Sequence, residues 1–431
     1  MLKRISLQWK IVICVVLGAA FLGAMLWLDL RPRNSVTVSD GFPLLQVYLN
    51  NISLDDINSG EKSEKYDGNE VLLYDGSDTK HFSDVEIKGR GNSTWSQPKK
   101  PYQLKFAKRV DVLGMGRGKR WVLLANHLDA SHLRNDTAFY LEEMLGEKYA
   151  VRGRFVDLVL DGEDLGLYYI TNRVDISKNS VDLREPLGIL VEMDNVHGTI
   201  EGCNRTDDGM CLFVKDVVDE TREEFAMSDF LKAYNNLEAA ASKGDYATVT
   251  DIADVESFAK YYLLSEFTTN PDAYTTSWNL YKDGVNDKIH AGPGWDYDLA
   301  LGNKQWVWTE DPDFFIPERK MARRSQAMAE DEKRDVNTAR IMYHLMEIPE
   351  FQSEVRRVYV ERMAGRKAEL RQHMLSTAAM ISDKAVADNE RWRRDDFYAE
   401  VDYLLDWVER RYQHFEEEYG DGLENSGVQL R

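Results

Sequence analysis

Asn270-Pro271-Asp272, then Asn279, then Trp295-Asp296-Tyr297-Asp298 place carboxylates and an amide at the ends of apolar segments in mid-chain. Such a set suits metal-assisted phosphoryl transfer. One acid orients or deprotonates an acceptor hydroxyl, and an Asp/Asn set holds the Mg or Mn that neutralises phosphate charge. Asp272 is the expected base, with Asp296, Asp298 and Asn279 as metal ligands. If the 295–298 stretch is extended, Asp296 and Asp298 project to one side and can share a cation. The plainer reading makes them turn residues bonded to nearby backbone, with Asp272 in an Asx turn after Pro271.

An anion partner for that metal is suggested near the other end of the chain. Gly89-Arg90-Gly91-Asn92-Ser93-Thr94 joins two strand candidates, and glycines there would let backbone amides approach phosphates. A short glycine-containing hairpin is also common as pure structure. On the following strand Tyr102, Leu104 and Phe106 alternate with Gln103 and Lys105, which places Lys105 to reach into a cleft under the loop. Lys99 and Lys100 are expected to be solvated. Arg134 falls within the apolar stripe of a helix capped by Asp129 or Ser131, so it needs an acid or a ligand anion. No Gly-x-Ser-x-Gly, His-Glu-x-x-His or Walker loop occurs, and His127, His132, His197 and His290 have no ligand spacing.

The elements that must position these groups change character along the chain. Strands are expected at Leu44–Leu49, Val71–Tyr74, Val85–Lys88, Tyr102–Phe106, Trp121–Leu124, Phe155–Leu160, Leu167–Thr171 and Gly188–Met193. Helices are expected at Glu223–Ser242, Val255–Thr268, Val336–Met346, Phe351–His373 and Phe397–Tyr419. A hairpin over Trp278–Tyr281 and Lys288–Ala291, turning at Asp283-Gly284, would carry Asn279. Base, amide and metal acid then follow one another in the order that protein kinases use. The fold class is therefore α+β, with a strand-rich half over 42–205 and a helical half over 206–431 around a cleft. The polar stretch from Asp311 to Asp335 reads as a loop, either gating or merely solvated.

Residues 1–10 are basic and 11–29 hold an apolar run, Ile11–Leu28, of about the length that spans hydrocarbon. Lys3, Arg4 and Lys10 before it predict a cytoplasmic N-terminus, a 30–41 linker and an exported body; a cleavable signal peptide is the rival. The net charge of −20 argues against nucleic acid as a partner. Cys203 and Cys211 bracket a polar loop and lack a second pair at zinc spacing, so in an exported domain they read as a disulfide.

The chain resembles the CotH (spore coat protein H) family of atypical protein kinases. The resemblance rests on Lys88-Gly89-Arg90-Gly91-Asn92-Ser93-Thr94-Trp95 with Lys99-Lys100-Pro101-Tyr102-Gln103-Leu104-Lys105-Phe106. It continues through Leu133-Arg134-Asn135, Gly166-Leu167-Tyr168-Tyr169-Ile170-Thr171, Asn270-Pro271-Asp272 and Gly294-Trp295-Asp296-Tyr297-Asp298. It implies a bilobal kinase-like fold and ATP with Mg or Mn. It also implies phosphorylation of Ser or Thr on a protein, here one of the envelope or surface. By position, Lys105 would contact phosphates, Asp272 would be the catalytic acid and Asp296 a metal ligand. One departure is Asn172, where the family often has an acid after the threonine. Two other functions compete with this one: a non-catalytic envelope or surface binder on the same fold, and a metal-dependent phosphotransferase acting on a non-protein envelope polymer.

Overall fold

Alternation of apolar and polar residues makes the first half of the chain a series of half-buried strands, and these close on themselves. The computed structural model describes residues 41–195, 202–305, 310–313 and 340–420. In chain order the first elements are β1 (Leu44–Tyr48), α1 (Leu54–Ser59), β2 (Tyr66–Tyr74), β3 (Thr79–Gly89) and β4 (Tyr102–Asp111). Then come β5 (Arg117–Leu124), α2 (Arg134–Met144), β6 (Gly153–Leu160) and β7 (Glu163–Asn172). The seven strands form a closed barrel in the order β1-β2-β3-β4-β5-β7-β6, sealed by parallel pairing of β1 with β6. Closure removes the exposed edges that would otherwise template association. Tyr102, Leu104 and Phe106 point into the barrel with Val71, Trp121 and Leu158, as the alternation predicts.

A second sheet follows, made of β8 (Gly188–Met193), β9 (Asn204–Arg205), β10 (Cys211–Val217), β11 (Trp278–Asp283) and β12 (His290–Ala291), in the order β12-β11-β8-β10-β9. The expected hairpin is present, with Leu280 opposite Ala291. β8, from the stretch expected to close the strand-rich half, pairs with β10 and β11 from beyond residue 205. The helices are α3 (Glu223–Ala241), α4 (Tyr246–Ile252), α5 (Val255–Thr268), α6 (Ile341–Met346), α7 (Pro349–Arg362), α8 (Lys367–Trp392) and α9 (Phe397–Tyr419). The single helix expected over 351–373 is broken near Gly365, whose φ of 72° ends α7, and α8 then runs on to Trp392. A disulfide joins Cys203 to Cys211, with Cα atoms 5.1 Å apart, and staples the β9–β10 hairpin. The apolar run 11–28 and most of the 311–335 loop lie outside the described residues. Among the described residues no helix is long and apolar enough to cross a membrane.

One lysine corrects the sequence reading. Lys99 is wholly buried, with its Nζ 2.8 and 3.0 Å from the Asp388 carboxylate of α8 and over the Tyr168 ring. It also donates to the Leu167 carbonyl, while Asp388 accepts the Leu167 amide at 2.8 Å and pairs with Arg394. Lys100 likewise folds back, donating to the Trp95 carbonyl at 2.7 Å. The Lys99–Asp388 pair thus joins the barrel to the longest helix. Removing one partner strands a buried charge, so Asp388→Ala should cost about 3–5 kcal/mol in denaturant unfolding. A loss under about 1 kcal/mol would show that the site relaxes and admits water.

Candidate active site

Asp272 and the 295–298 acids reach one place because the end of α5 and a loop after β12 are tied together. Thr269 ends α5 in the left-handed region, and Asn270 Oδ1 accepts the Asp272 amide at 3.0 Å. The Asp272 carbonyl accepts the amides of Thr275 and Thr276. The expected Asx turn is real and belongs to Asn270; it leaves the Asp272 side chain half-buried. The Leu301 amide bonds the Thr268 carbonyl at 2.6 Å, which brings the second loop alongside.

The 295–298 segment is not extended. Asp296 has φ 69°, a left-handed conformation that aspartate tolerates better than most residues, and the chain turns at Asp298. Asp298 is 7% exposed. Burial above all, then the charges of Asp296, Asp272 and Asp129, push its carboxyl well above the ordinary range. Four carboxylates therefore share one electrostatic neighbourhood.

Helix α2 holds this loop in place. The Tyr297 amide donates to Asn135 Oδ1 at 2.9 Å, and Arg134 Nε donates to the Ala300 carbonyl at 3.1 Å. Asn303 bridges from the other side, donating to the carbonyls of Asp298 and Leu128 at 2.7 and 2.8 Å. Arg134, expected from sequence to contact a ligand, is 1% exposed and pairs with Asp129 at 2.5 Å and more distantly with Glu400. Its acid is internal. Asp129 also accepts the Arg134 and Ser131 amides, so it serves the start of α2 as the sequence suggests.

The cations facing these acids are not the expected one. Lys105 lies on the outside of the barrel, 41% exposed and 3.6 Å from Glu86. Arg90, at the end of β3, stands 4.9 Å over the Trp295 ring and feels the Asp296 charge. Burial lowers its guanidinium to about 10, and Asp296 opposes that fall, so it stays charged at neutral pH. Lys215 of β10 is 14% exposed, 3.3 Å from Glu192 of β8 and 2.8 Å from Asn279 Oδ1 of β11. Burial lowers it as well, and Glu192 resists. Arg90, Arg173 and Lys215 repel one another across this face. Asn279 is fully buried, with its amide nitrogen donating to the Pro293 carbonyl at 2.8 Å. Both ends of the Asn279 amide are engaged, and it orients Lys215 and the 292–294 stretch.

The Gly89–Thr94 corner packs on itself. A Cβ on Gly89 would lie 2.4 Å from the Trp95 ring, and one on Gly91, at φ 83°, would lie 2.1 Å from Thr94 Oγ1. Asn92 and Ser93 are exposed at its tip, where Lys62 bonds the Gly91 carbonyl and Asn92 Oδ1. Asn172, the departure from an acid, is buried and its Oδ1 accepts the Arg152 amide at 2.9 Å.

Glu192, Lys215 and Asn303 are not singled out by sequence, and Asn135 only as part of the Leu133-Arg134-Asn135 string. A lone charge in an otherwise apolar strand, Glu192 in Gly188–Met193, is the signal that points to the first; Lys215 is followed by Asp216 in its strand and carries no such signal.

Buried Asp298 thus has Asp296 and Asp272 as charged neighbours, and half-buried Asp296 in turn has Arg90. The chain belongs to the CotH kinase protein family, whose model matches residues 87–415, a span that holds the whole site. It is also 24% identical over 224 residues to the inner spore coat protein H of Bacillus subtilis (strain 168), covering 51% of this chain. The match spans 59% of that protein's length.

A carboxyl held above its ordinary range is most favourable to folding at low pH and loses that advantage as pH rises through its folded value. Each pH unit by which the folded value exceeds the unfolded one costs about 1.4 kcal/mol at high pH. With chelator present, wild type should lose stability relative to Asp298→Asn between pH 5 and 8. Parallel urea midpoints at both pH values would refute the burial of that charge.

Proposed function

We propose that the protein is a kinase-like phosphotransferase that moves the γ-phosphate of ATP to Ser or Thr of an envelope or surface protein. The observation that carries the proposal is the buried Asp298 carboxyl beside Asp296 and Asp272, with Arg90 as a charged neighbour of Asp296. An acid cluster at this depth requires compensation, and hard oxygen donors fit Mg or Mn. Among the described residues no three His, Cys, Asp or Glu side chains converge as a metal cage. That suits an ion bound through one or two carboxylates and completed by water and phosphate oxygens. Asp296 and Asp298 would hold it, and the charge that neutralises the phosphates would come from that metal.

The other roles belong to the chain's own groups. Arg90 and Lys215 bind phosphate oxygens, with Asn279 and Glu192 fixing Lys215. The exposed Asn92–Ser93 tip closes over the phosphates, while Lys105 stands at the rim. The Asp272 carboxylate accepts the hydrogen of the acceptor hydroxyl and aims its oxygen at the γ-phosphorus. The strand-rich barrel and the helical body would then act as the two sides of a kinase-like cleft.

The apolar 11–28 run would anchor the chain, with its N-terminus cytoplasmic and its body periplasmic or extracellular. The Cys203–Cys211 disulfide supports that placement, since such bonds persist in oxidising compartments. The strongly acidic composition speaks against nucleic acid.

Asp296→Ala should weaken Mg- or Mn-ATP binding and turnover together. Asp272→Asn should leave binding near wild type while lowering phosphoryl transfer by about 10²–10⁴-fold. ATP affinity and autophosphorylation measured on both variants test this, and equal losses of affinity in the two would remove the assigned division of labour.

A further inference from the structure

Between β12 and Trp295 the chain makes a tight turn, Gly292-Pro293-Gly294, on which the direction of Asp296 depends. Asn279 grips it from one side: its carbonyl accepts the Gly292 amide at 2.9 Å and its side chain donates to the Pro293 carbonyl. From the other side Glu142 of α2, 2% exposed, accepts the Gly294 amide on Oε1 at 2.5 Å. Its second oxygen takes the Val151 amide at 3.4 Å. The turn has no slack, since a Cβ on Gly294 would fall 2.0 Å from the Tyr297 hydroxyl. Glu142 shares a small cavity with Glu147, Lys260, Tyr261 and Gly292. A buried carboxyl is a costly choice where leucine would pack. Burial, and then Glu147, raise the Glu142 carboxyl to about 8, so at neutral pH it is mostly the neutral acid. A neutral acceptor for these two amides places no unbalanced charge behind the acidic loop.

We infer that Glu142 is a positioning residue for the site: its bond to the Gly294 amide sets the 292–294 turn and, through it, the aim of Asp296 and the Asn279–Lys215 pair. The inference rests on the phosphotransferase reading for its kinetic consequence, but not for its structural one. Glutamine preserves the acceptor oxygen in the form that works at neutral pH, while leucine removes it.

Hydrogen exchange over 292–298 in nucleotide-free protein should speed up by about tenfold or more in Glu142→Leu. Phosphoryl transfer should fall by about 10–100-fold, as a misaimed reacting group requires. Glu142→Gln should recover slow exchange and most of the turnover. If the leucine variant does not fold, Glu142→Asp withdraws the oxygen by one methylene and should give the same two changes. Unaltered exchange in the Leu and Asp variants, or a Gln variant no better than either, overturns the role. Should wild type bind no Mg- or Mn-ATP, the phosphotransferase reading fails on that result alone, while the exchange data still decide whether Glu142 sets the turn.

Discussion

Carboxylates brought together out of water repel one another, and no short loop can hold them close by its own conformational preferences. Asp298 is the centre of that constraint here, buried with Asp296, Asp272 and Asp129 as its electrostatic neighbours. Asp129 is neutralised internally by Arg134, and Asp296 has Arg90 as a charged neighbour. Coulombic repulsion at low dielectric is strong enough to unfold an unsupported turn. The rest of the structure supplies the support.

That support comes from elements far apart in sequence. Helix α2 provides Glu142, Asn135 and Arg134, and each takes a backbone group of the 294–300 stretch. The second sheet, through β8, β10 and β11, delivers Glu192, Lys215 and Asn279 to one point. The barrel contributes Arg90 at the end of β3, with the glycine corner folded against Trp95 so that the guanidinium can lie over Trp295. Lys99 and Asp388 then fix the barrel against α8. The loop that carries the acids is held by hydrogen bonds to its backbone.

Much of this is legible in the sequence, and the limits have physical causes. Strand alternation locates the barrel strands, and α5 and α9 run over the residues their apolar spacing indicates. The acids stand out because Asp flanked by aromatics at the end of an apolar run has few structural uses. Sequence favours Lys105 over Lys215 because alternation tells which face of a strand a residue takes, not what that face meets; the outer face of β4 meets Glu86. Sequence leaves Asp296 and Asp298 either on an extended segment or in a turn, and the left-handed conformation at Asp296 with the turn at Asp298 follows the second reading. Arg134 is rightly placed on the buried side of its helix, and only the fold reveals that its acid is Asp129. Glu192 paired with Lys215 across β8 and β10 depends on sheet order, which periodicity does not contain.

Family membership places the chain among CotH kinase proteins, and the proposed chemistry turns on a single claim. The acid cluster is completed by a divalent cation bridging to a triphosphate. Calorimetric titration of ATP into the purified protein, with Mn and with chelator, tests it most directly. A bridging cation predicts binding in the presence of Mn and a loss of about tenfold or more in affinity when the metal is removed, because ATP would then face uncompensated carboxylates. Equal ATP affinity with and without metal, or no binding in either, would contradict it.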